Sequence, residues 1–201
     1  MDGTLVDSRA VVERVWRKWA VRNNLDPAAI LEVSHGRRAI DTVCAFSTRT
    51  MDVDAEARWL AKEEISDVEG IVAVPGARQL LRQLDPNDWA IVTSADRALA
   101  SRRLNAAGLP VPRTLISAED VKNGKPDPDG YNLAAAKLGS TSDRCLVFED
   151  APAGIEAGLN AGSDVVAITA ARPHEFEEMC PSARDFGVVS FRLNGVEIGR
   201  R

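Results

Sequence analysis

The sequence predicts an α/β protein, in which a Rossmann-like core with a parallel sheet carries an inserted α-helical cap. Short apolar runs typical of buried parallel strands occur at residues 89–93, 114–117, 145–148 and 165–168. Segments with helical periodicity separate these runs, and this alternation implies a parallel sheet with right-handed crossovers. Polar residues follow several of the runs, and ligands of such sheets bind beyond the carboxyl ends of the strands. The pattern therefore also predicts where the functional site lies.

The composition fits one core domain with a modest insertion. At 201 residues and 45 % hydrophobic content, the chain can bury a sizeable core. Its 25 basic and 30 acidic residues give a net charge of −5, whereas nucleic-acid-binding proteins cluster basic residues. No apolar run reaches the length of a membrane span, and the first residues lack the order of a signal peptide. We therefore expect no nucleic-acid or membrane partner.

The cysteines indicate the compartment. Cys44, Cys145 and Cys180 are odd in number and have no C-x-x-C spacing, so neither a disulfide framework nor a thiolate metal site is indicated. A reducing cytoplasm fits best. We expect the protein to be a monomer or a weak dimer.

The chain begins with the turn sequence Met1-Asp2-Gly3-Thr4. Gly3 permits backbone angles that are closed to other residues, and Thr4 adds a small hydroxyl. On these residues alone, two interpretations stay open. The stretch is either a mobile terminus with an ordinary Asp-Gly turn, or a tight turn that projects the Asp2 carboxylate towards a ligand.

Helices are predicted next. Residues 8–23 have apolar side chains at helical spacing, and Trp16 and Trp19 lie on that apolar face. These aromatic rings could face a ligand, but at this spacing they more often pack in a core. Asp26 is placed to cap a second helix that starts at Pro27.

The spacing of apolar residues in 52–68 predicts a further helix of the cap. Its apolar positions include Trp59 and Leu60. Its acidic face, formed by Glu56, Glu63 and Glu64, is expected to be solvated.

The segment His35-Gly36-Arg37-Arg38 stands at the start of another predicted helix. A loop that feeds a helix N-terminus is a natural anion site, because the first amide groups of the helix have no internal partner. A solvated basic turn followed by a helix cap is the alternative.

The core elements follow after Pro75 and Gly76, which break the chain before a predicted helix at 77–84. A terminal β-hairpin is predicted around Asn194-Gly195, and His174 is expected to be a surface residue. Three predicted core helices end at a glycine, the usual C-terminal stop: 97–107 at Gly108, 131–138 at Gly139 and 154–161 at Gly162.

Polar motifs follow the core strands. They are Ser94 after the strand at 89–93, Lys125 between Gly124 and Pro126, and the pair Glu149-Asp150 after the strand at 145–148. Singly, each also fits a structural role: a helix N-cap for Ser94, a surface lysine for Lys125, a helix cap for the acidic pair.

Together and in this order, these motifs resemble those of the haloacid dehalogenase-like hydrolases. The matching segments are Asp2-Gly3-Thr4, Ile91-Val92-Thr93-Ser94, Gly124-Lys125-Pro126 and Val147-Phe148-Glu149-Asp150. The position of the inserted helices, directly after the first motif, resembles the helical-cap subgroup and its sugar- and polyol-phosphate phosphatases. The resemblance implies a core of residues 1–11 and 74–201, with a cap of residues 12–73.

The resemblance also implies roles for single residues. Asp2 would protonate the leaving oxygen and then activate water, while Ser94 and Lys125 would hold the transferring phosphoryl group. Mg²⁺ would be the cofactor, bound by Asp150, by Glu149 directly or through water, and by the backbone carbonyl of Asp2. A small phosphorylated metabolite would be the substrate, and the residues implied to bind it are Thr4, His35, Arg38 and Ala95.

One motif residue is missing. In the family the nucleophile is an aspartate two residues before the second aspartate, a position that would fall immediately before Met1. We therefore expect the chain of 201 residues to be inactive as it stands and a longer form to carry this aspartate and a strand leading to it. A catalytically silent phosphate-ester-binding protein and a phosphomutase of the same architecture are the alternatives.

Overall fold

The computed structural model describes residues 1–34, 36–170, 179–192 and 195–199. Four helices follow one another between two short strands. The strands, β1 (Val6–Asp7) and β2 (Val72–Ala73), pair antiparallel and bring the two ends of the helical segment together. The helices are α1 (Arg9–Arg22), α2 (Pro27–Ser34), α3 (Ala39–Phe46) and α4 (Val53–Ser66).

Helix α1 anchors the helical segment through its apolar face. Val15, Trp16 and Trp19 are buried there, and the two indole rings meet edge to face at 5.4 Å between centroids. Such aromatic contacts add to the free energy gained from burying the rings. Both rings therefore pack in the core as the periodicity favoured, and Trp16 also lines a cavity beside α1. The proposed cap boundary at residue 12 falls inside this helix, which begins at Arg9.

Helix α4 starts at its predicted cap, since Asp52 accepts a hydrogen bond from the amide of Ala55 at 3.0 Å. The prediction that its whole acidic face is solvated is wrong for Glu56 and Glu64, which are both buried. Buried carboxylates need compensating donors. Glu56 finds one in the indole nitrogen of Trp19, at 2.8 Å, and the partner of Glu64 lies in the site described below.

Within the described residues, the core contains five parallel strands and four α-helices, which confirms the predicted α/β class. The strands β3 (Ala90–Val92) and β4 (Thr114–Ile116) pair in parallel, and so do β5 (Leu146–Glu149), β6 (Asp164–Ile168) and β7 (Ser182–Ala183), in that order. The helices are α5 (Ala77–Leu81), α6 (Arg97–Ala106), α7 (Asp129–Lys137) and α8 (Pro152–Asn160).

The parallel strands form two sheets within the described residues, where the sequence predicted one. A cavity of about 400 Å³ lies between β3 and β5, and apolar side chains such as Val92 and Phe148 line it. In the described part of the chain, no strand pairs with the edges of β3 and β5 that face this cavity. Backbone groups along such an edge are left without ladder partners.

The remaining elements follow the sequence closely. Gly108, Gly139 and Gly162, just beyond α6, α7 and α8, all have positive φ, as the predicted helix ends require. Strands β8 (Val189–Arg192) and β9 (Gly195–Ile198) pair antiparallel, which confirms the terminal hairpin. His174 lies outside the described residues. None of the described helices is long and apolar enough to cross a bilayer.

Candidate active site

A second cavity, of about 340 Å³, opens where the carboxyl ends of β3 and β5 meet the N-terminal turn. Residues of α1, α4 and the α2–α3 loop also line it, so helices from the inserted segment cover strand ends of the core. Four separate motifs supply polar side chains to this one cavity: Asp2 from the turn, Ser94 from the end of β3, Lys125 from the loop before α7, and Asp150 from the end of β5.

Gly3 is required at the turn for two reasons. Its φ of 74° lies in the left-handed region, and a Cβ at this position would stand 1.8 Å from Oδ2 of Asp150. The carbonyl of Met1 accepts the amide hydrogens of Thr4, Leu5 and Val6, which tightens the turn. The missing side chain of Gly3 therefore lets the backbone approach a carboxylate on the opposite strand.

Asp2 is held at both carboxylate oxygens. The hydroxyl of Ser8 donates to Oδ1 at 2.6 Å, and Nη1 of Arg103 lies 3.0 Å from Oδ2. Burial raises the pKa of Asp2, but the charges of Arg103 and of the N-terminal ammonium, with the Ser8 hydrogen bond, bring this pKa below its usual value. The carboxylate is thus fixed in direction at the wall of the cavity.

Asp150 lies across the turn from Asp2. Its Oδ1 accepts a hydrogen bond from Thr4 Oγ1 at 2.7 Å. Burial and the neighbouring charge of Glu149 raise the pKa of Asp150 to about 7. This half-buried carboxylate lacks enough compensating positive charge, which suits it to bind a cation.

Glu149 is already compensated. Nζ of Lys125 forms an ion pair with its Oε1, which also accepts the hydroxyl of Tyr131 at 2.5 Å. Oε2 accepts the amide of Asp150 at 3.1 Å. Although burial raises the pKa of Glu149, the charge of Lys125 lowers it to about 2.

These contacts compensate the charges of the two carboxylates of the acidic pair to different degrees. Asp150 has an uncompensated charge beside the backbone of the N-terminal turn, whereas both oxygens of Glu149 are engaged by protein donors. A divalent cation that takes oxygen ligands would therefore be drawn to Asp150, because both oxygens of Glu149 are held by their protein donors. Among the described residues, no group of three or more acidic, histidine or cysteine side chains is arranged so that it could hold a metal ion by itself.

Ser94 and Ala95 line the cavity at the end of β3. The hydroxyl of Ser94 donates to the carbonyl of Gly36 at 2.8 Å, which joins the core strand end to the α2–α3 loop. The amide of Ala95 donates to Thr93 Oγ1 at 3.2 Å. Their predicted contacts with phosphate oxygens stay predictions.

The two adjacent arginines of the α2–α3 loop are directed differently. Arg38 donates to Asp41 at 2.7 and 2.8 Å and to the carbonyl of Lys122, and it does not line the site cavity. Arg37, which the sequence left as the variable position, does line that cavity. His35 lies outside the described residues, and its predicted role, like that of Arg38, stays a prediction.

The structure adds residues to the site that the sequence did not single out. Ser8 and Tyr131 hold the Asp2 and Glu149 carboxylates, respectively, and Arg103 and Glu64 bring a buried ion pair to the cavity wall. Tyr131 and Arg103 are ordinary positions of α7 and α6 in the sequence pattern. No local signal in the sequence distinguishes them, because their partners come from other elements.

Comparison with known families finds one family model that matches most of the chain. The family model for haloacid dehalogenase-like hydrolases matches residues 1–162. This range includes all four polar motifs and the helical segment between the first and the second.

Individual relatives cover most of the chain. Hexitol phosphatase A of Escherichia coli is 45 % identical over 174 residues, which are 85 % of this chain and 81 % of that protein. 2-Deoxyglucose-6-phosphate phosphatase 1 of Saccharomyces cerevisiae is 33 % identical and is matched over 84 % of this chain and 77 % of its own length. Among solved structures, a hydrolase from Pseudomonas syringae superposes with a TM-score of 0.78 at 27 % identity, covering 92 % of this chain and 91 % of that one.

Proposed function

The chain belongs to the haloacid dehalogenase-like hydrolases, and from this premise we propose that it is a phosphatase of small sugar or polyol phosphates. The observation that carries the proposal is the convergence of Asp2, Lys125 and Asp150 on one cavity. Relatives that bear the names of a hexitol phosphatase and a 2-deoxyglucose-6-phosphate phosphatase support the substrate class.

Asp2 is proposed as the general acid and base. A phosphate ester with a poor leaving group needs a proton on the departing oxygen, and a group held within hydrogen-bond reach can supply it. The same carboxylate, once ionised, can take a proton from the water that attacks the phosphoryl intermediate. The hydrogen bond from Ser8 and the ion pair with Arg103 fix the direction of the carboxylate. They also lower its pKa, which favours the ionised form that acts as the base.

Lys125 is proposed to bind an oxygen of the phosphoryl group and to hold Glu149 in place. Its ammonium group is nearly buried, with 8 % side-chain exposure, and it lies beside Glu149 at the wall of the cavity. A cation in such a desolvated place stabilises a developing negative charge more strongly than a solvated one would. Ser94 is proposed to bind another phosphate oxygen after leaving the Gly36 carbonyl.

Mg²⁺ is proposed as the cofactor, with Asp150 and the backbone carbonyl of Asp2 as its protein ligands. Mg²⁺ prefers one or two carboxylate oxygens together with water and substrate phosphate, and the uncompensated charge of Asp150 fits that preference. When bound, the ion would neutralise charge on the phosphate oxygens.

Substitution Asp150→Asn is expected to remove stabilisation by Mg²⁺. For the unchanged chain, saturating Mg²⁺ at about 100 times its dissociation constant would add about 2.7 kcal/mol to the free energy of unfolding. The variant should gain almost nothing. In metal-free buffer it should be more stable than the unchanged chain, because it removes a half-buried charge beside Glu149.

Thermal unfolding with and without Mg²⁺ measures both effects. Asp143→Asn is the matched control, since Asp143 is exposed in the turn that precedes β5. An equal response of both variants to Mg²⁺ would contradict the metal assignment.

The nucleophile is proposed to be an aspartate two residues before Asp2, in a longer form of the chain. Attack by its carboxylate on phosphorus would form a phospho-aspartate and release the sugar or polyol, whose oxygen takes the proton from Asp2. The cavity between β3 and β5 supports this extension. Its apolar lining, and the strand edges on either side that have no partner strand among the described residues, fit a further strand that leads to the site.

The organic part of the substrate is proposed to meet the helical segment. Arg37 and Trp16 line the cavity there, and a guanidinium donates hydrogen bonds that suit hydroxyl groups as well as anions. Closure of these helices over the core would exclude bulk water during the reaction.

The experiment that tests the proposal measures Mg²⁺-dependent phosphate release from a panel of sugar and polyol phosphates. It compares the chain of 201 residues with one extended upstream by the preceding codons of its gene, and with the extended chain whose upstream aspartate is replaced by asparagine. Turnover by the extended chain alone is the expected result.

Other outcomes decide between the alternatives. Binding of phosphate esters without turnover by either chain would favour a silent binder, and formation of an isomeric phosphate would favour a phosphomutase. Substantial turnover by the chain of 201 residues would show that the nucleophile is assigned wrongly.

A further inference from the structure

Arg103 stands out among the buried residues of the core. It lies on α6 with 3 % of its surface exposed, and it reaches the wall of the site cavity. Burying a guanidinium is unfavourable unless nearby carboxylates compensate its charge. Two carboxylates do so: Nη1 lies 3.0 Å from Asp2 Oδ2, and Nη2 lies 3.0 Å from Glu64 Oε1.

The ion pair between Arg103 and Asp2 fixes the direction of the Asp2 carboxylate. Ser8 occupies one carboxylate oxygen of Asp2 and Arg103 the other, so rotation of the carboxylate would break one contact or both. The rigid, planar guanidinium fixes geometry better than a flexible ammonium group does. Proton transfer depends on such geometry, since the acid must lie within hydrogen-bond reach of the oxygen that it protonates.

The ion pair between Arg103 and Glu64 connects the core to the helical segment. Glu64 belongs to α4, in the helical segment between β1 and β2, and its side chain is 9 % exposed. Arg103 belongs to α6, which follows the core strand β3. The ion pair therefore joins a helix that covers the cavity to a helix beneath it.

We propose that Arg103 is a positioning residue, which holds the Asp2 carboxylate for proton transfer. Its ion pair with Glu64 connects this contact to helix α4. The inference rests on the proposed phosphatase function. Arg103 acts through Asp2 and does not itself react. Withdrawal of α4 from the core would take Glu64 away from Arg103 and leave Asp2 as the one carboxylate that holds the guanidinium, so the position of the covering helices would affect how firmly Asp2 is held.

The first test is kinetic and uses the form of the chain that releases phosphate in the experiment above. Arg103→Met is expected to lower kcat by about 10- to 100-fold, the size of loss that a displaced catalytic group causes. KM should stay within about twofold, because Arg103 supports proton transfer and does not bind substrate. Arg103→Lys should recover only part of kcat, because an ammonium group keeps the charge but not the planar geometry that reaches both carboxylates. Arg102→Met is the control, as Arg102 is the exposed neighbour on α6.

A double-mutant cycle separates positioning from a general structural role. In an Asp2→Asn background there is no carboxylic acid to position, so Arg103→Met should change the residual kcat by less than about twofold. A loss of the same size in both backgrounds would overturn the proposal. So would a rise in KM with unchanged kcat.

The link to α4 is tested with Glu64→Gln, which keeps the shape of Glu64 and removes its charge. This variant should lower kcat less than Arg103→Met does, because the contact between Arg103 and Asp2 remains. A larger loss than that of Arg103→Met would mean that Glu64 acts independently of Arg103.

An unfolding experiment keeps the inference testable if no form of the chain turns over. Failure to release phosphate from any ester would overturn the proposed function alone. The thermal midpoints of Arg103→Met, Asp2→Asn, Glu64→Gln and their pairwise combinations would then report the contacts directly. Non-additive shifts in both pairs that contain Arg103 support the bridge between the carboxylates, and additive shifts overturn it.

Discussion

Replacement of Lys125 by methionine is expected to lower the free energy of unfolding by about 3–5 kcal/mol, the cost of removing one partner from a buried ion pair. The side chains of Lys125 and Glu149 are 8 % and 4 % exposed, so solvent screens the pair very little. Without the ammonium group, Glu149 keeps only the hydrogen bonds from Tyr131 and from the amide of Asp150. Denaturant titration measures the loss.

Two further variants make this result specific. Lys122→Met, an exposed lysine in the same loop, should change stability by less than about 0.5 kcal/mol. The double variant Lys125→Met/Glu149→Gln removes both charges and should recover more than half of the lost stability, while phosphate release stays abolished. A loss below about 1 kcal/mol for Lys125→Met would show that the pair is solvated.

Replacement of Asp2 by asparagine is expected to lower the steady-state kcat of the active form by about 10²- to 10⁴-fold, the usual contribution of a general acid or base. The change keeps the size of the side chain and one oxygen for the Ser8 hydrogen bond, so the site should stay assembled. Asp7→Asn is the control, because Asp7 adjoins the same turn and pairs with Arg9 but does not itself line the cavity.

The time course with an aryl phosphate identifies the step that is lost. An aryl leaving group departs without protonation, so the Asp2→Asn variant should release about one equivalent of the phenol in a burst before turnover stops. The burst marks an enzyme trapped as the phosphoryl intermediate, which needs Asp2 as a base. Steady turnover close to that of the unchanged enzyme would remove Asp2 from the mechanism.

The architecture could be predicted because its determinants are local. Apolar runs such as 145–148, the glycines that end α6, α7 and α8, and the alternation of strands and helices all act within a few residues. The two-stranded ribbon of β1 and β2 was not predicted. Its strands are two residues long and lie at opposite ends of the helical segment, too short and too distant for any periodic signal.

The division of roles within the site depended on contacts between distant segments. The sequence placed Glu149 and Asp150 together as metal ligands, but Lys125 and Tyr131 compensate the charge of Glu149 and leave that of Asp150 uncompensated. These partners come from another loop and another helix. When two acidic residues are adjacent in a sequence, the sequence alone does not predict which of them will pair with a cationic side chain.

The sequence by itself determined the order of parallel strands and helices, the insertion of a helical segment after the first motif, and the polar residue types at the strand ends. Only the tertiary structure decided which of Arg37 and Arg38 lines the cavity, and that Glu64 is buried rather than solvated. Strand and helix formation follow from neighbouring residues, whereas the burial of a charge depends on its partner. Arg103, 39 residues from Glu64 along the chain, becomes that partner only when α6 packs against α4.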